Sequence, residues 1–414
     1  MNYHDSDFML FRGNTMEASW NNELLVAFGK PAGEASIDEE LELSDQTLPG
    51  LEVSAWSFGY IGYDYKNTIE QLESVNPLPI PARIFHFFEP AIVFKENEGK
   101  REVLVNTPDL DKAGIEALYQ KVFFKSRGCT GNKKQIVLKE RQTKESYLAQ
   151  VRHIKEHIQR GDIYEMNFCM EFFSENVEVN PVALFSLLYD KAQAPFSAFC
   201  RFGDVYVISS SPERYLKKQG KRLLSQPIKG TRRRGKDSQE DRQLRDELFQ
   251  DLKERAENIM IVDLVRNDLS RIAERGSVQV DELCGIYSFP QVHQMISSVS
   301  CNLRDEVSFR DIIHATFPMG SMTGAPKVNA MCLIDRYENT SRGLYSGALG
   351  YKTPEGDFDF SVLIRTILYD ASRNYLSFSV GSAITAQSDP QLEYEECLVK
   401  AKALIEVLGA RLEE

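Results

Sequence analysis

The chain has 414 residues, 42% of them hydrophobic, and a formal net charge of -12 at pH 7. That length accommodates about two to three domains, and the acidic balance excludes a general nucleic-acid binder, which needs a basic face to displace counterions. No apolar run approaches the roughly 18 residues of a membrane span, and the opening MNYHDSDFML lacks a basic flank with an apolar core, so a cytoplasmic protein with no membrane partner is expected.

Up to residue 125, short β-like runs alternate with turn clusters, as over 51–65 and 82–94. The polar stretch 125–134 is the best internal linker; it separates an N-terminal region, 1–125, from a second region, 135–410, expected to pack with the first as one unit. Tyr147, Val151, Ile154 and Ile158 then recur at helical spacing between Thr143 as N-cap and Gly161 as stop. The runs 162–173 and 197–224 read as strands, with a helix starting at Pro181 between them. A long helix is expected over 238–273, strands around 347–351, 361–369 and 375–380, and a last helix introduced by Ser388, Asp389 and Pro390. Strands and helices without regular βα alternation imply a large antiparallel-rich α+β or layered α/β/β/α fold. The cysteines, Cys129, Cys169, Cys200, Cys284, Cys301, Cys332 and Cys397, form no CxxC pair and have no close histidine neighbours, so they read as reduced structural thiols.

Several clusters carry chemistry. Glu213 ends one strand-like run and Lys229 begins the next; adjacent antiparallel strands would bring carboxylate and amine together, either for proton transfer or as an ordinary cross-strand salt bridge. Lys229 opens the basic run KGTRRRGK, which on charge alone is a solvated loop. In 256–269, Glu257 and Asp263 are too far apart on a helix to share a metal, while Asp263, Arg266, Asn267 and Asp268 suit buried helix-end hydrogen bonds. The loop 317–327 fails the phosphate-loop spacing and reads as a small-residue turn offering N-H and hydroxyl donors. Arg365, in an apolar strand-like run, needs an anion, either a bound carboxylate or an internal acid. Glu396 and Lys400 fit a surface i,i+4 ion pair; alternatively Glu396 joins Glu257 in a Mg2+ site.

Taken in order, the blocks SPERYL, PIKGTRRRG, AENIMIVDLVRNDL, FPMGSMTGAPKVNAM, RGLYSGALGY, VLIRT and EYEECLVKA resemble the chorismate-utilising enzymes, which include the anthranilate, aminodeoxychorismate, isochorismate and salicylate synthases. FGYIGYD at 58–64 is similar to the N-terminal part of the aminating members. The resemblance implies a two-sheet sandwich with outer helices and chorismate bound between the sheets. It implies Mg2+ on Glu257 and Glu396, and substrate carboxylates on Tyr345, Arg365, Thr231, Lys400 and a loop at Gly381.

Lysine at 229 resembles the branch that aminates at C4, where the amine adds at C2 and expels the C4 hydroxyl, and ammonia then enters at C4 as the lysine departs from C2, with Glu213 as general acid or base. Amination in the ortho position and a regulatory homologue without turnover are the alternatives. Where the isochorismate-forming members carry a water-activating lysine this chain has Glu165, which disfavours hydration at C2. Two departures stand out: Gln294 occupies a position that is histidine in the family, with His293 one place early, and the late glycine stretch reads Gly381-Ser382-Ala383. With no Gly-x-Cys-x-Gly elbow in the chain, ammonia is expected from a separate class I glutamine amidotransferase subunit.

Overall fold

The computed structural model describes residues 7–13, 24–29, 56–97, 100–105 and 135–413. The expected linker 125–134, Cys129 and the first residues of the run 51–65 lie outside them. In chain order the first strands are β1 (Asp7–Arg12), β2 (Leu24–Gly29), β3 (Ser57–Ile61), β4 (Phe85–Phe88), β5 (Pro90–Asn97), β6 (Lys100–Val105) and β7 (Val137–Glu140), with the short helix α1 (Lys66–Glu70) after β3. Helix α2 (Lys144–Arg160), β8 (Glu165–Ser174), helix α3 (Pro181–Ala192), β9 (Phe196–Phe202), β10 (Val205–Ser211), β11 (Arg214–Gln219), β12 (Arg222–Gln226) and β13 (Ile228–Arg233) follow. Next come helices α4 (Ser238–Gln250) and α5 (Leu252–Ser270), β14 (Gln279–Ser288), β15 (Val292–Asn302), α6 (Phe309–Thr316), β16 (Gly324–Ala325) and α7 (Lys327–Tyr337). The chain closes with β17 (Ala348–Lys352), β18 (Phe358–Val362), β19 (Thr366–Asp370), β20 (Tyr375–Thr385), α8 (Pro390–Leu408) and β21 (Arg411–Leu412).

Among the described residues these strands form a 12-stranded sheet, β21-β7-β8-β20-β19-β10-β9-β1-β2-β5-β6 with β16 against β8, and a 9-stranded sheet, β13-β15-β12-β11-β18-β17-β3-β4 with β14 against β15. Apart from β7 with β21, the pairings are antiparallel. Early strands enter both sheets: β1 pairs with β9 in the larger, β3 with β17 in the smaller.

Alternation along β8 sets the layers. Met166, Phe168, Met170 and Phe172 face outward into a core with Tyr147, Val151 and Ile154 of α2 and Cys397, Ala401 and Leu404 of α8. Because side chains alternate, Glu165, Asn167, Cys169 and Glu171 face the space between the sheets. The outer face of the smaller sheet is covered by Ile261, Val265 and Leu269 of α5 with Ile312 and Ile313 of α6. Each such apolar side chain contributes about 1.5–3 kcal/mol on burial. Thr143 caps α2, its side chain accepting from Ser146 N, and Gly161 ends it at φ +84°.

Two expected elements divide. The helix over 238–273 breaks at Asp251, whose extended backbone ends α4 while its carboxylate accepts from Lys253 N and Glu254 N to cap α5. The strand-like run 361–369 becomes β18 in the smaller sheet and β19 in the larger, with Arg365 in the bend between them at φ +50°. The basic run is not a solvated loop either. Ile228–Arg233 is a strand, and Arg232 and Arg234 pair with Asp251 and Asp241 at 2.6 and 2.7 Å. No helix among the described residues is long and apolar enough to cross a membrane.

Candidate active site

Lys229 enters the inter-sheet space from β13, at a register break between Ile228 and Thr231 where Gly230 takes φ +83°. Its Nζ lies 4.0 Å from Glu165 Oε1, and its side chain is 11% exposed. Burial alone pulls the ammonium down, but the carboxylates of Glu165, Glu257, Glu213 and Glu396 together outweigh it and hold the group above the ordinary lysine value.

Glu213, between β10 and β11, is not a cross-strand partner of Lys229, because β15 lies between β13 and β12 and the two residues form no ion pair. Its Oε1 accepts from Ser321 Oγ at 2.6 Å. Burial raises its carboxyl to about 7, against the opposing pull of Ser321, Lys229, Ile228 N and Arg365. The small-residue turn thus supplies one hydroxyl donor, and it supplies it to a protein carboxylate. Lys327, just after that turn, bonds Asp268 Oδ2 at 2.6 Å. Asp268 is the buried helix-end group that was expected, whereas Asp263, Arg266 and Asn267 face solvent.

Glu257 comes from α5 and Glu396 from α8. Glu257 Oε1 is buried without a hydrogen-bond partner, and burial, with Glu254 and Glu165 repelling, raises the carboxyl to about 7 although Lys229 and Lys253 oppose this. Lys253 Nζ stands 3.8 Å from Glu257 Oε1 and 3.6 Å from Glu393 Oε1, bridging the two helices. Helical spacing puts Glu393 on one face with Glu396 and Lys400, but Glu165 is not named by composition or spacing as part of the acidic set; only the sheet and helix packing brings it there. Among the described residues no group of three or more His, Cys, Asp or Glu is close enough to hold a metal ion. Glu396 accepts from Lys400 at 2.7 Å in the i,i+4 pair, and Lys400 also donates to Gly381 O at 2.8 Å. Though its burial works the other way, Lys400 leads the cations that keep Glu396 below the usual carboxylate range.

Arg365 makes no ion pair with any described residue; burial pulls its guanidinium down despite nearby Glu213. Among the described residues no acid stands within ion-pair distance of it, and Glu213 acts on it only from further away. Tyr345, 6% exposed, has its hydroxyl 3.7 Å from Cys169 Sγ. Gly381 lies in no loop: β20 runs on past its last β19 partner, Ser377, and stays paired to β8 through Thr385. A Cβ there would stand 2.5 Å from Cys169 Sγ and 2.6 Å from Asn167 Oδ1, so the position admits only glycine without a shift. Thr231 is exposed and is paired in register with Gln294, which is buried with its Oε1 unpartnered. His293 cannot replace Gln294. Being one place earlier it faces the opposite side, where it meets Ser288 Oγ at 2.8 Å and Asp241 Oδ1 at 3.0 Å.

Two antiparallel-rich sheets and the helices beside them bring together a lysine, four carboxylates and an arginine with no ion-pair partner among the described residues, and they carry the sequence blocks of one enzyme class. The chain belongs to the chorismate binding enzyme family, whose model matches residues 11–406. An aminodeoxychorismate synthase of Streptomyces griseus is 44% identical over 271 residues, which are 65% of this chain but only 37% of that protein. Anthranilate synthase component 1 of Aquifex aeolicus is 35% identical over 369 residues, 84% of this chain and 73% of that one. The crystal structure of anthranilate synthase component I from Streptococcus pneumoniae TIGR4 matches with a TM-score of 0.75 at 26% identity, covering 97% of this chain and 93% of that one.

Proposed function

We propose that this protein replaces the C4 hydroxyl of chorismate with an amino group, forming 4-amino-4-deoxychorismate on the way to 4-aminobenzoate. The observation that supports this most is the placement of Lys229, an amine with little solvent access set among Glu165, Glu213, Glu257 and Glu396. Its amine adds at C2 as the C4 hydroxyl departs, and ammonia then enters at C4 as the amine leaves. Glu213, poised near 7, donates the proton that lets the hydroxyl leave as water. Arg365, Tyr345, Thr231, Lys400 and the Gly381 strand receive the substrate carboxylates; the unpaired guanidinium of Arg365 is the strongest of these receptors.

The acidic pair suits Mg2+: all its donors are oxygens, Glu257 Oε1 lacks a partner, and the Lys253 ammonium stands where positive charge is called for. Glu257 and Glu396 would hold the ion, which when bound withdraws charge from the ring and eases departure of the hydroxyl. Ammonia comes from a class I glutamine amidotransferase subunit, with free ammonium as a substitute.

The test is incubation of the purified protein with chorismate, Mg2+ and excess ammonium at mildly alkaline pH, followed by chromatography and mass spectrometry. Aminodeoxychorismate, converted to 4-aminobenzoate by an added lyase, is the expected product. Anthranilate would transfer the protein to ortho amination, the activity named for the Aquifex aeolicus relative, and the absence of any turnover would favour a regulatory homologue.

A further inference from the structure

We propose that Glu165 is the proton acceptor that frees the Lys229 amine for attack, a step that rests on the C4-amination reading above. An ammonium has no lone pair, and Lys229 is held charged by the four carboxylates facing it: Glu165 from β8, Glu213 before β11, Glu257 from α5 and Glu396 from α8. With its side chain 11% exposed, Lys229 has little direct access to water as a base. Among the described residues Glu165 is the one carboxylate within 4.0 Å of Nζ.

Three features fit Glu165 to this task. It is 2% exposed, and its Oε2 has no hydrogen-bond partner, so one oxygen is free to take a proton. Its backbone is fixed on both sides, paired with Ala325 of β16 and Thr385 of β20, so the carboxylate is presented by a three-strand platform. The other carboxylates have other work in the proposed reaction: Glu213 is bonded to Ser321 and serves the leaving hydroxyl, while Glu257 and Glu396 are the metal pair.

The step balances. A proton passes from Nζ to Glu165, leaving the charge of the pair unchanged. The nitrogen lone pair forms the Nζ–C2 bond, both ring double bonds shift, C1=C2 to C1=C6 and C5=C6 to C4=C5, and the C4–O bond breaks. The departing hydroxide takes the proton of Glu213 and leaves as water. When ammonia bonds to C4, the Nζ–C2 bond breaks with its electron pair returning to Nζ. The proton on Glu165 goes back to the amine, and the C4 ammonium gives one proton to Glu213.

Because the proton stays within the pair, this activation does not depend on the pH of the solution. In Glu165→Gln the lysine has to lose its proton to solvent instead. The experiment compares kcat for para-product formation, with saturating chorismate, Mg2+ and ammonium, between wild type, Glu165→Gln and Glu165→Asp from pH 7 to 9. Taking ratios to wild type cancels the ionisation of Glu213 and of ammonium. The expected Glu165→Gln ratio is well below one at pH 7 and rises about tenfold per pH unit until Lys229 titrates, with the KM for chorismate within about twofold of wild type. Glu165→Asp, which keeps a carboxylate, gives a pH-independent ratio. A pH-independent Glu165→Gln ratio overturns the proposal, whether near one, meaning Glu165 takes no part, or uniformly low, meaning a structural role. Wild type that makes no para product overturns the amination reading itself, an outcome visible before any variant is made.

Discussion

Two arginines in neighbouring turns of the inter-sheet region have opposite surroundings. Arg342 is completed by the fold: it pairs with both oxygens of Glu338, at 2.9 and 2.6 Å, donates to Met322 O and Asn167 O at 2.6 and 2.9 Å, and lies 4.7 Å over the Tyr63 ring. Arg365, in the bend between the sheets, has no carboxylate within ion-pair distance among the described residues, Glu213 acting on it only from further away. A buried cation with a full set of partners holds structure together. One without them is open to an anion from outside the fold, the role proposed for Arg365, and its left-handed backbone at φ +50° is a local cost of order 1–3 kcal/mol that the surrounding fold sustains.

The largest effect should come from breaking the completed side. Arg342→Met leaves Glu338 buried without its cation and should cost about 3–5 kcal/mol in urea unfolding; a change near zero would remove the structural reading. Arg365→Met should do the reverse, changing stability by less than about 1 kcal/mol while raising the KM for chorismate about 10–100-fold, the equivalent of a charge-assisted contact of about 1.5–3 kcal/mol. Equal stability losses in the two variants would erase the contrast.

Glu257 sharpens the same distinction from the acidic side. Its carboxyl, raised from 4.5 to about 7, resists ionising in the folded chain, so its contribution to stability is complete below 4.5 and is lost as pH rises through about 7. In metal-free buffer Glu257→Gln should therefore be about 1–2 kcal/mol more stable than wild type at pH 8 and little changed at pH 4.5. Thermal unfolding at the two pH values decides it, and a variant less stable at pH 8 would show that the carboxylate is already satisfied.

Much of this was legible in the sequence where a single element suffices. Thr143, the Tyr147–Ile154 spacing and Gly161 define α2 because capping and helical period are local properties. Ser388, Asp389 and Pro390 do the same for α8. What was not legible depends on which strands become neighbours. Lys229 was expected beside Glu213, but β15 inserts between their strands, and polar residues on both of its faces, Gln294, Ser298 and Ser300 around Ile296 on one and His293 and Ser297 on the other, hide it from a search for apolar alternation. The partner Lys229 does meet, Glu165, lies on the other sheet, far away in the chain and near only through the sandwich. The i,i+4 reading of Glu396 and Lys400 holds, and the same lysine also reaches Gly381, a contact no helical spacing could reveal.

The break at Asp251 has one more consequence. By capping α5 at a fixed residue it sets the rotational phase of that helix, in which Glu257, Ile261, Val265 and Asp268 face inward together. A residue inserted between Asp251 and Glu257 would turn everything beyond it by about 100°, swinging Glu257 out of the cleft or, if the helix held its register, lifting the cap from its amides. The spacing of six residues from that aspartate to the glutamate is thus a ruler measured in angle, and the chain can vary the residues along it far more freely than their number.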